Sequence, residues 1–465
     1  MSAPDKSKPP VSLVFIQVSY RGKIVAMKIR PALRINGRVR LSGDKSISHR
    51  AAIIAALATG SSQISNFSTS QDCAATLSCL GKLGVSIARE GTIVRVTGAG
   101  RSGLTPSVEA LDCGNSGSTI RMLAGVLAGQ NFTSTLTGDG SLRSRPMNRI
   151  VEPLERMGAR VQSRQGRPPL AIQGTEHLKS IRYELPVASA QVKSCVLLAG
   201  LHADGRTEAI EKFGSTRDHT ERMLKWFGAP LETTAIDENG AAIIAINGPV
   251  TFPARDIIIP GDISSAAFLI AAAALLPDSD LEIEAVGLNP TRTQFLSTLR
   301  SLGVELSITN EREQCNEPIG MIRVSRKLTP KPVSQGESNV VEGRLIPQLI
   351  DELPMLAVVG TQIPGGIEIR DAGELRLKES DRIGVTVKNL RAMGAEVEEF
   401  ADGLSVAGPR KLRGANIDPA RDHRIAMAFA VAGLIAEGDT EIEGAECISV
   451  SFPEFFTLLE SVVER

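Results

Sequence analysis

Most of the residues in this chain that could do chemistry are basic and sit beside short polar clusters. Lys45 and Arg50, Arg121, Arg145 and Arg149, Lys193, Arg217, Lys378 and Arg382, and Arg424 accompany the clusters Lys45-Ser46, Asn115-Ser116, Ser189-Ala190-Gln191, Asp262 to Ser265, Asp351-Glu352 and Asp422-His423. A lone Lys or Arg usually does no more than solvate a surface. Arg50, Arg121, Lys193 and Arg424, however, fall within or at the start of apolar runs, where an unpaired charge would cost several kcal/mol. The sequence therefore predicts that these four face an anion. Acidic and basic residues balance at 52 each, so a local basic cluster implies a small polyanionic ligand, not a nucleic-acid surface. An aromatic share of 3% also leaves few platforms for stacking bases.

The elements that must position these residues form a unit that recurs six times. Each polar cluster opens a run of Ala, Leu, Ile, Val and Met, which predicts a helix buried nearly all round, as in Ser264 to Leu276 and His423 to Ala436. An alternating strand-like segment follows (Gln63 to Phe67, Leu281 to Ala285, Glu441 to Gly444), and then an amphipathic helix. That second helix stops at Gly84, Gly158, Gly228, Gly303 and Gly394, where a left-handed C-cap belongs. Ser, Asn and Asp at the start of a buried helix can simply cap it. Six such N-termini, each with free N–H groups and a positive dipole end, would bind anions if they converged.

At 465 residues the chain predicts two or three domains. Apolar runs such as Ala266 to Leu276 are too short to cross a bilayer, so no membrane partner is expected. Six scattered cysteines without a Cys-x-x-Cys pair read as reduced thiols in a cytoplasmic protein. Met1 to Ala26 reads as a loose extension, with a weak signal peptide as the alternative. The five histidines have no metal-ligand spacing, and most read as capping or surface residues. Gly98 to Gly103 has the dinucleotide-binding spacing, but Thr105-Pro106-Ser107 follows in place of a helix, so it reads as a turn.

Seven segments, in this order, resemble the enolpyruvyl transferases, and most closely the branch whose acceptor is shikimate 3-phosphate: Gly43 to Arg50, Gly114-Asn115-Ser116-Gly117, Arg145-Pro146-Met147, Ser189-Ala190-Gln191, Lys378 to Arg382, Asp422-His423-Arg424 and Ser451-Phe452-Pro453. The resemblance runs from about Met27 onward. It implies an α/β (α+β) protein of two inside-out domains, each with three βαβαββ-type units, helices inside and sheets outside. One domain would span 43–260, mainly on the acceptor side; the other would join 27–42 to 261–465. The resemblance puts shikimate 3-phosphate against Lys45, Ser46, Arg50, Ser189, Ala190, Gln191, Arg217, Asp351 and Lys378. It puts phosphoenolpyruvate against Lys45, Gly117, Arg145, Gln191, Arg382 and Arg424. Asp351 would be the base for the acceptor 5-hydroxyl, with Glu379 and Lys45 handling the proton at C3. The resemblance implies no metal and no organic cofactor, only the two small-molecule substrates; monomer is the default.

Several positions depart from the family pattern. Many members carry a Lys close before the Phe-Pro near the C-terminus, where this chain has Ser449 and Val450, so a phosphate contact is lost or supplied from elsewhere. Ala190 replaces a Ser common at that place, and Arg217 is the expected substitute for the lost hydroxyl. Gly117 leaves room where a larger residue crowds the inhibitor glyphosate, which implies sensitivity. The sister enzymes that load UDP-N-acetylglucosamine carry a reactive Cys shortly before the Arg-Pro pair, and Gly138 to Ser144 contains none. A non-enzymatic anion- or RNA-binding module is the other alternative; neutral charge and scarce aromatics oppose it.

Overall fold

The structure, a computed structural model, describes residues 15–20, 23–212, 214–238, 240–325 and 339–465. Six sheets surround six apolar helices: α1 (Lys45–Leu57), α2 (Gly117–Ala128), α3 (Ala190–Gly200), α4 (Ile263–Leu275), α5 (Leu353–Gly360) and α6 (His423–Leu434). Every residue of α6 is buried, which suits a run of Ala, Ile, Met, Phe, Val and Leu that offers water no polar face. Only the N-termini are polar. Asp44, Ser116, Ser189, Asp262 and Asp422 each accept a hydrogen bond from a backbone N–H in the first turn of their helix. Such caps contribute about 1 kcal/mol each and leave the other N–H groups of that turn to point outward.

One unit shows the pattern of all. Leu111–Asp112 pairs in parallel with Thr133–Thr137 across the α2 crossover, Arg167–Gln173 pairs antiparallel to that strand, and Arg160–Arg164 closes the edge. A second, amphipathic helix, Asn148–Arg156, lies between the second and third strands in sequence. The glycines that end these second helices all have positive φ, from 85° at Gly394 to 108° at Gly158, the left-handed C-cap conformation the sequence predicts.

Three units are completed by strands from far along the chain. Ile257–Ile258 pairs with Thr59–Ser65, and Arg34–Arg40 pairs with Asp280–Gly287, both in parallel. Lys23–Ile29 pairs antiparallel to Thr440–Glu443 and forms a hairpin with Phe15–Tyr20. Backbone pairing thus reaches further toward the N-terminus than a loose extension of 1–26 would have it, and Met27 to Ser42 supplies strands to two different sheets. A sheet edge left open is an exposed row of hydrogen-bonding groups, which accounts for the recruitment of distant strands. Residues 1–14, 21 and 22 of that predicted extension lie outside the described residues.

The buried apolar side chains fall into two clusters. The first core draws on residues from Ile47 to Ile259, the second on Met27 to Leu41 and Ile263 to Val462. The chain passes between them twice, and the two passages lie side by side. Asp44 N–H donates to Pro260 C=O at 2.8 Å, and Asp262 N–H to Ser42 C=O at 3.3 Å. Gly43 is required here, since a Cβ would stand 1.7 Å from Asn66 C=O.

Candidate active site

The α1, α2 and α3 N-termini of the first core and the α4, α5 and α6 N-termini of the second open on one cleft of about 320 Å³. Every residue that the resemblance assigned to a substrate or to the proton transfers lines it: Lys45, Ser46, Arg50, Gly117, Arg145, Ser189, Ala190, Gln191, Arg217, Asp351, Lys378, Glu379, Arg382 and Arg424. Val450, in a short 3₁₀ turn at Ala445–Val450, lies outside that lining.

Two carboxylates organise the cations. Asp351, just before α5, accepts from Arg217 Nη2 at 2.7 Å and Arg382 Nη1 at 3.2 Å. Glu379 accepts from Arg382 Nη2 at 2.8 Å and lies 3.4 Å from Arg145 Nη1. Arg382 is fully buried and is also held by Asp422, 2.8 Å from its Nε. Burial alone would raise the pKa of both Asp351 and Glu379. For Asp351 the guanidiniums of Arg217, Arg424 and Arg382 reverse this, and for Glu379 those of Arg382 and Arg145, holding both carboxyls well below their usual range. Lys378 shifts the other way: burial lowers its pKa although Asp351 is near.

Lys45 projects from the first turn of α1. Burial opposes its charge, but Asp72 Oδ2 at 2.9 Å keeps its pKa above the ordinary value. Asp72 caught no attention in the sequence, because an acidic residue in the first turn of an amphipathic helix reads as a dipole partner. Arg50 reaches back along α1 to Ser46 C=O, Ser194 Oγ and Thr220 Oγ1, at 2.7–2.9 Å. Arg121 Nη1 donates to Gln191 Oε1 at 2.7 Å, and Gln191 Nε2 to Ser118 Oγ at 2.9 Å, which ties α2 to α3. Burial lowers the pKa of Arg50 and of Arg121 to about 10, so both stay charged at neutral pH. Arg145 Nε and Arg424 Nε are buried donors without a hydrogen-bond partner among the described residues. A buried orphan donor costs about 1–3 kcal/mol, so two in one cleft point to an anionic acceptor there. At the rim Arg149 and Glu374 join the two cores through a two-pronged contact of 2.7 and 2.8 Å.

Two predictions need correction. Lys193, on α3, does not line the cleft; it is fully buried, 3.1 Å from Glu211 and 2.6 Å from Glu221. The burial of its charge was legible, but the partners are internal carboxylates on a neighbouring strand and helix. The histidines are not surface residues either: His49, His202, His219 and His423 are buried, and only His177 is exposed. Among the described residues no group of three or more His, Cys, Asp or Glu side chains is arranged to hold a metal ion, and the six cysteines are all free.

A cleft walled by helix N-termini and arginines, with two ionised carboxylates inside, defines an enzyme for small polyanionic substrates. The same fold is seen in the enolpyruvyl transferase NikO from Streptomyces tendae, with a TM-score of 0.73 at 18% identity over 94% of this chain and 98% of that one. An EPSP synthase from Acinetobacter baumannii superposes with a TM-score of 0.81 at 39% identity, over 94% of this chain and 98% of that one. The 3-phosphoshikimate 1-carboxyvinyltransferases of Koribacter versatilis and Solibacter usitatus are 50% and 49% identical, over 95% and 94% of this chain and 100% and 99% of theirs. The family model for EPSP synthase (3-phosphoshikimate 1-carboxyvinyltransferase) matches residues 29–459, and this chain belongs to that family.

Proposed function

We propose that the cleft transfers the enolpyruvyl group of phosphoenolpyruvate to the 5-hydroxyl of shikimate 3-phosphate, the reaction of the family, with the residues above in stated roles. The observation that carries the assignment is the pair of ionised carboxylates, Asp351 and Glu379, each held by arginines that anionic substrates would compete for. The acceptor would lie against Ser46, Arg50, Ser189, Ala190, Gln191, Arg217 and Lys378. Phosphoenolpyruvate would lie between Lys45, Gly117, Arg145, Gln191, Arg382 and Arg424. Planar arginine forks suit phosphate and carboxylate groups because they donate two parallel hydrogen bonds.

The free site holds Asp351 too acidic to be a good base. When the acceptor phosphate draws Arg217 away, and phosphoenolpyruvate draws Arg382 and Arg424, the field that depresses Asp351 is shared with the ligands and its basicity rises. Asp351 then takes the proton of the 5-hydroxyl as it attacks C2. Glu379 and Lys45 deliver a proton to C3, giving the tetrahedral adduct. Removal of a C3 proton as phosphate leaves restores the enol ether. Approach of the two cores excludes water and strengthens each of these charge interactions.

This chain's own residues also favour shikimate 3-phosphate as the acceptor. Helix Gly140–Ser144, just before Arg145, carries no cysteine. We place the protein in the cytoplasm as a monomer; its cysteines are free, and no described helix is long and apolar enough to cross a membrane. Phosphate release from phosphoenolpyruvate, measured in parallel with shikimate 3-phosphate and with UDP-N-acetylglucosamine, tests the reading. Release with the first alone is expected; release with the nucleotide sugar would overturn the acceptor, and none with either would overturn the activity.

A further inference from the structure

We propose that Arg292 is a positioning residue that fixes Lys45 and Arg217 across the passage between the two cores, acting through His219 and two helix-capping aspartates. The inference rests on the placement of Lys45 and Arg217 in the substrate site.

Arg292 belongs to the second core, in the turn Asn289 to Arg292, which its own N–H closes on Asn289 C=O at 2.8 Å. It is 3% exposed, and both terminal nitrogens are taken up by protein. Nη1 lies 3.2 Å from Asp44 Oδ2 and donates to His219 Nε2 at 3.0 Å. Nη2 donates to Ser264 Oγ at 2.8 Å and to Asp262 Oδ1 at 3.4 Å. Although Arg292 lines the cleft, a guanidinium so engaged works on the substrates through its partners.

Those partners set the two ends of the site. Asp44 caps α1 and immediately precedes Lys45; burial would raise its pKa, yet Arg292 leads the charges that hold it at about 2. Asp262 caps α4, and its other oxygen accepts the backbone N–H of Lys45 at 3.2 Å. One cation thus bridges two buried carboxylates at the backbone of Lys45. His219 begins the helix His219–Trp226, two residues after Arg217. For its Nε2 to accept from Arg292, its proton must sit on Nδ1, which donates to Glu317 Oε1 at 2.7 Å. Asn289, from the same turn as Arg292, donates to Asp218 Oδ1 at 2.6 Å and Glu317 Oε2 at 3.0 Å. The segment carrying Arg217 and the N-terminus carrying Lys45 are therefore both referred to one turn of the opposite core.

The two positions of the imidazole allow a test that separates this role from simple packing. Glutamine at 219 places an acceptor where Nε2 stands and keeps the bond from Arg292; asparagine places a donor where Nδ1 stands, keeps Glu317 and loses Arg292. Arg292→Gln, His219→Asn and His219→Gln would be compared by steady-state kinetics in both substrates and by small-angle scattering without ligand, with Trp226 fluorescence reporting that the fold around it is intact. For Arg292→Gln and His219→Asn we expect both KM values to rise about tenfold or more, because misplacement by about 1 Å can cost that much. Their ligand-free radius of gyration should grow and shrink again with both substrates bound, while His219→Gln stays near the parent. Equal losses in the Gln and Asn variants at 219, or parental kinetics and compactness in Arg292→Gln and His219→Asn, would overturn the proposal. Lys45→Met serves as the control: full activity there would mean that the site assignment, not the clamp, is at fault.

Discussion

Arg217 and Asp351, 134 positions apart in the chain, meet across the cleft with Arg217 Nη2 donating to Asp351 Oδ2 at 2.7 Å. One is the proposed holder of the acceptor phosphate and the other the proposed base. The proposed phosphate holder is therefore the main charge that keeps the proposed base ionised and weak in the empty site. Binding and activation of the base are coupled by this one contact, and the same logic links Glu379 to Arg382 and Arg145.

Arg217→Ala should accordingly do two opposite things. It removes a phosphate contact, so KM for shikimate 3-phosphate should rise by about tenfold to a hundredfold, a charge-assisted bond being worth about 1.5–3 kcal/mol. It also relieves Asp351 in the empty site, so the acid limb of the kcat/KM profile for shikimate 3-phosphate should move to higher pH. Initial rates at saturating phosphoenolpyruvate across pH measure both, and unchanged acceptor affinity would sink the assignment of Arg217.

Gly117 has room for no side chain. A Cβ there would stand 2.5 Å from Arg121 Nη1 and 3.3 Å from Arg145 Nη1. Both are ends of flexible side chains, so Gly117→Ala should fold normally while displacing the arginines that frame the proposed phosphoenolpyruvate site. We expect KM for phosphoenolpyruvate to rise about tenfold with little change for the acceptor, and inhibition by glyphosate to weaken in parallel. Equal affinities in parent and variant would place the ligand elsewhere.

Lys193 should behave as structure, not as site. Lys193→Met leaves Glu211 and Glu221 buried together without a cation and should cost about 3–5 kcal/mol in urea unfolding. The folded fraction should keep parental KM values. A raised acceptor KM with unchanged stability would restore the ligand-facing role that the sequence suggested.

His202, with His49, is an expected source of acid sensitivity in the first core. Burial, with Arg101 adding, pushes its pKa from 6.5 down to about 3, and neither ring nitrogen has a partner among the described residues. Between those values the unfolded chain binds a proton that the folded one refuses, so stability falls as pH drops through that window, by about 1.4 kcal/mol per unit at most. His202→Leu should flatten that slope, gaining on the parent at pH 5 relative to pH 7. Parallel slopes in denaturant titrations would show that other groups set the limit.

The local rules of this fold were legible before any coordinates. Apolar runs predicted the buried helices, and the five glycines that end the second helices adopt the positive φ that a left-handed cap needs. The order of motifs gathered residues that line one cleft, because helix N-termini that converge bring their polar first turns with them.

The amino-acid order by itself thus determined the repeats, the caps and the list of charges that must be buried. Only the tertiary structure decided which opposite charge meets which. Burial of a charge is written in local composition, but its partner is chosen by packing: Lys193 found two glutamates within its own unit, while Arg217 found Asp351 across the cleft. Asp72 and Arg292 stand in none of the clusters or motifs the sequence offered, and four of the five histidines, most of them expected at caps or on the surface, are buried. A helix cap that also neutralises a cation on the opposite core, as Asp44 does for Arg292, depends on contacts separated by hundreds of residues, and no local pattern records those.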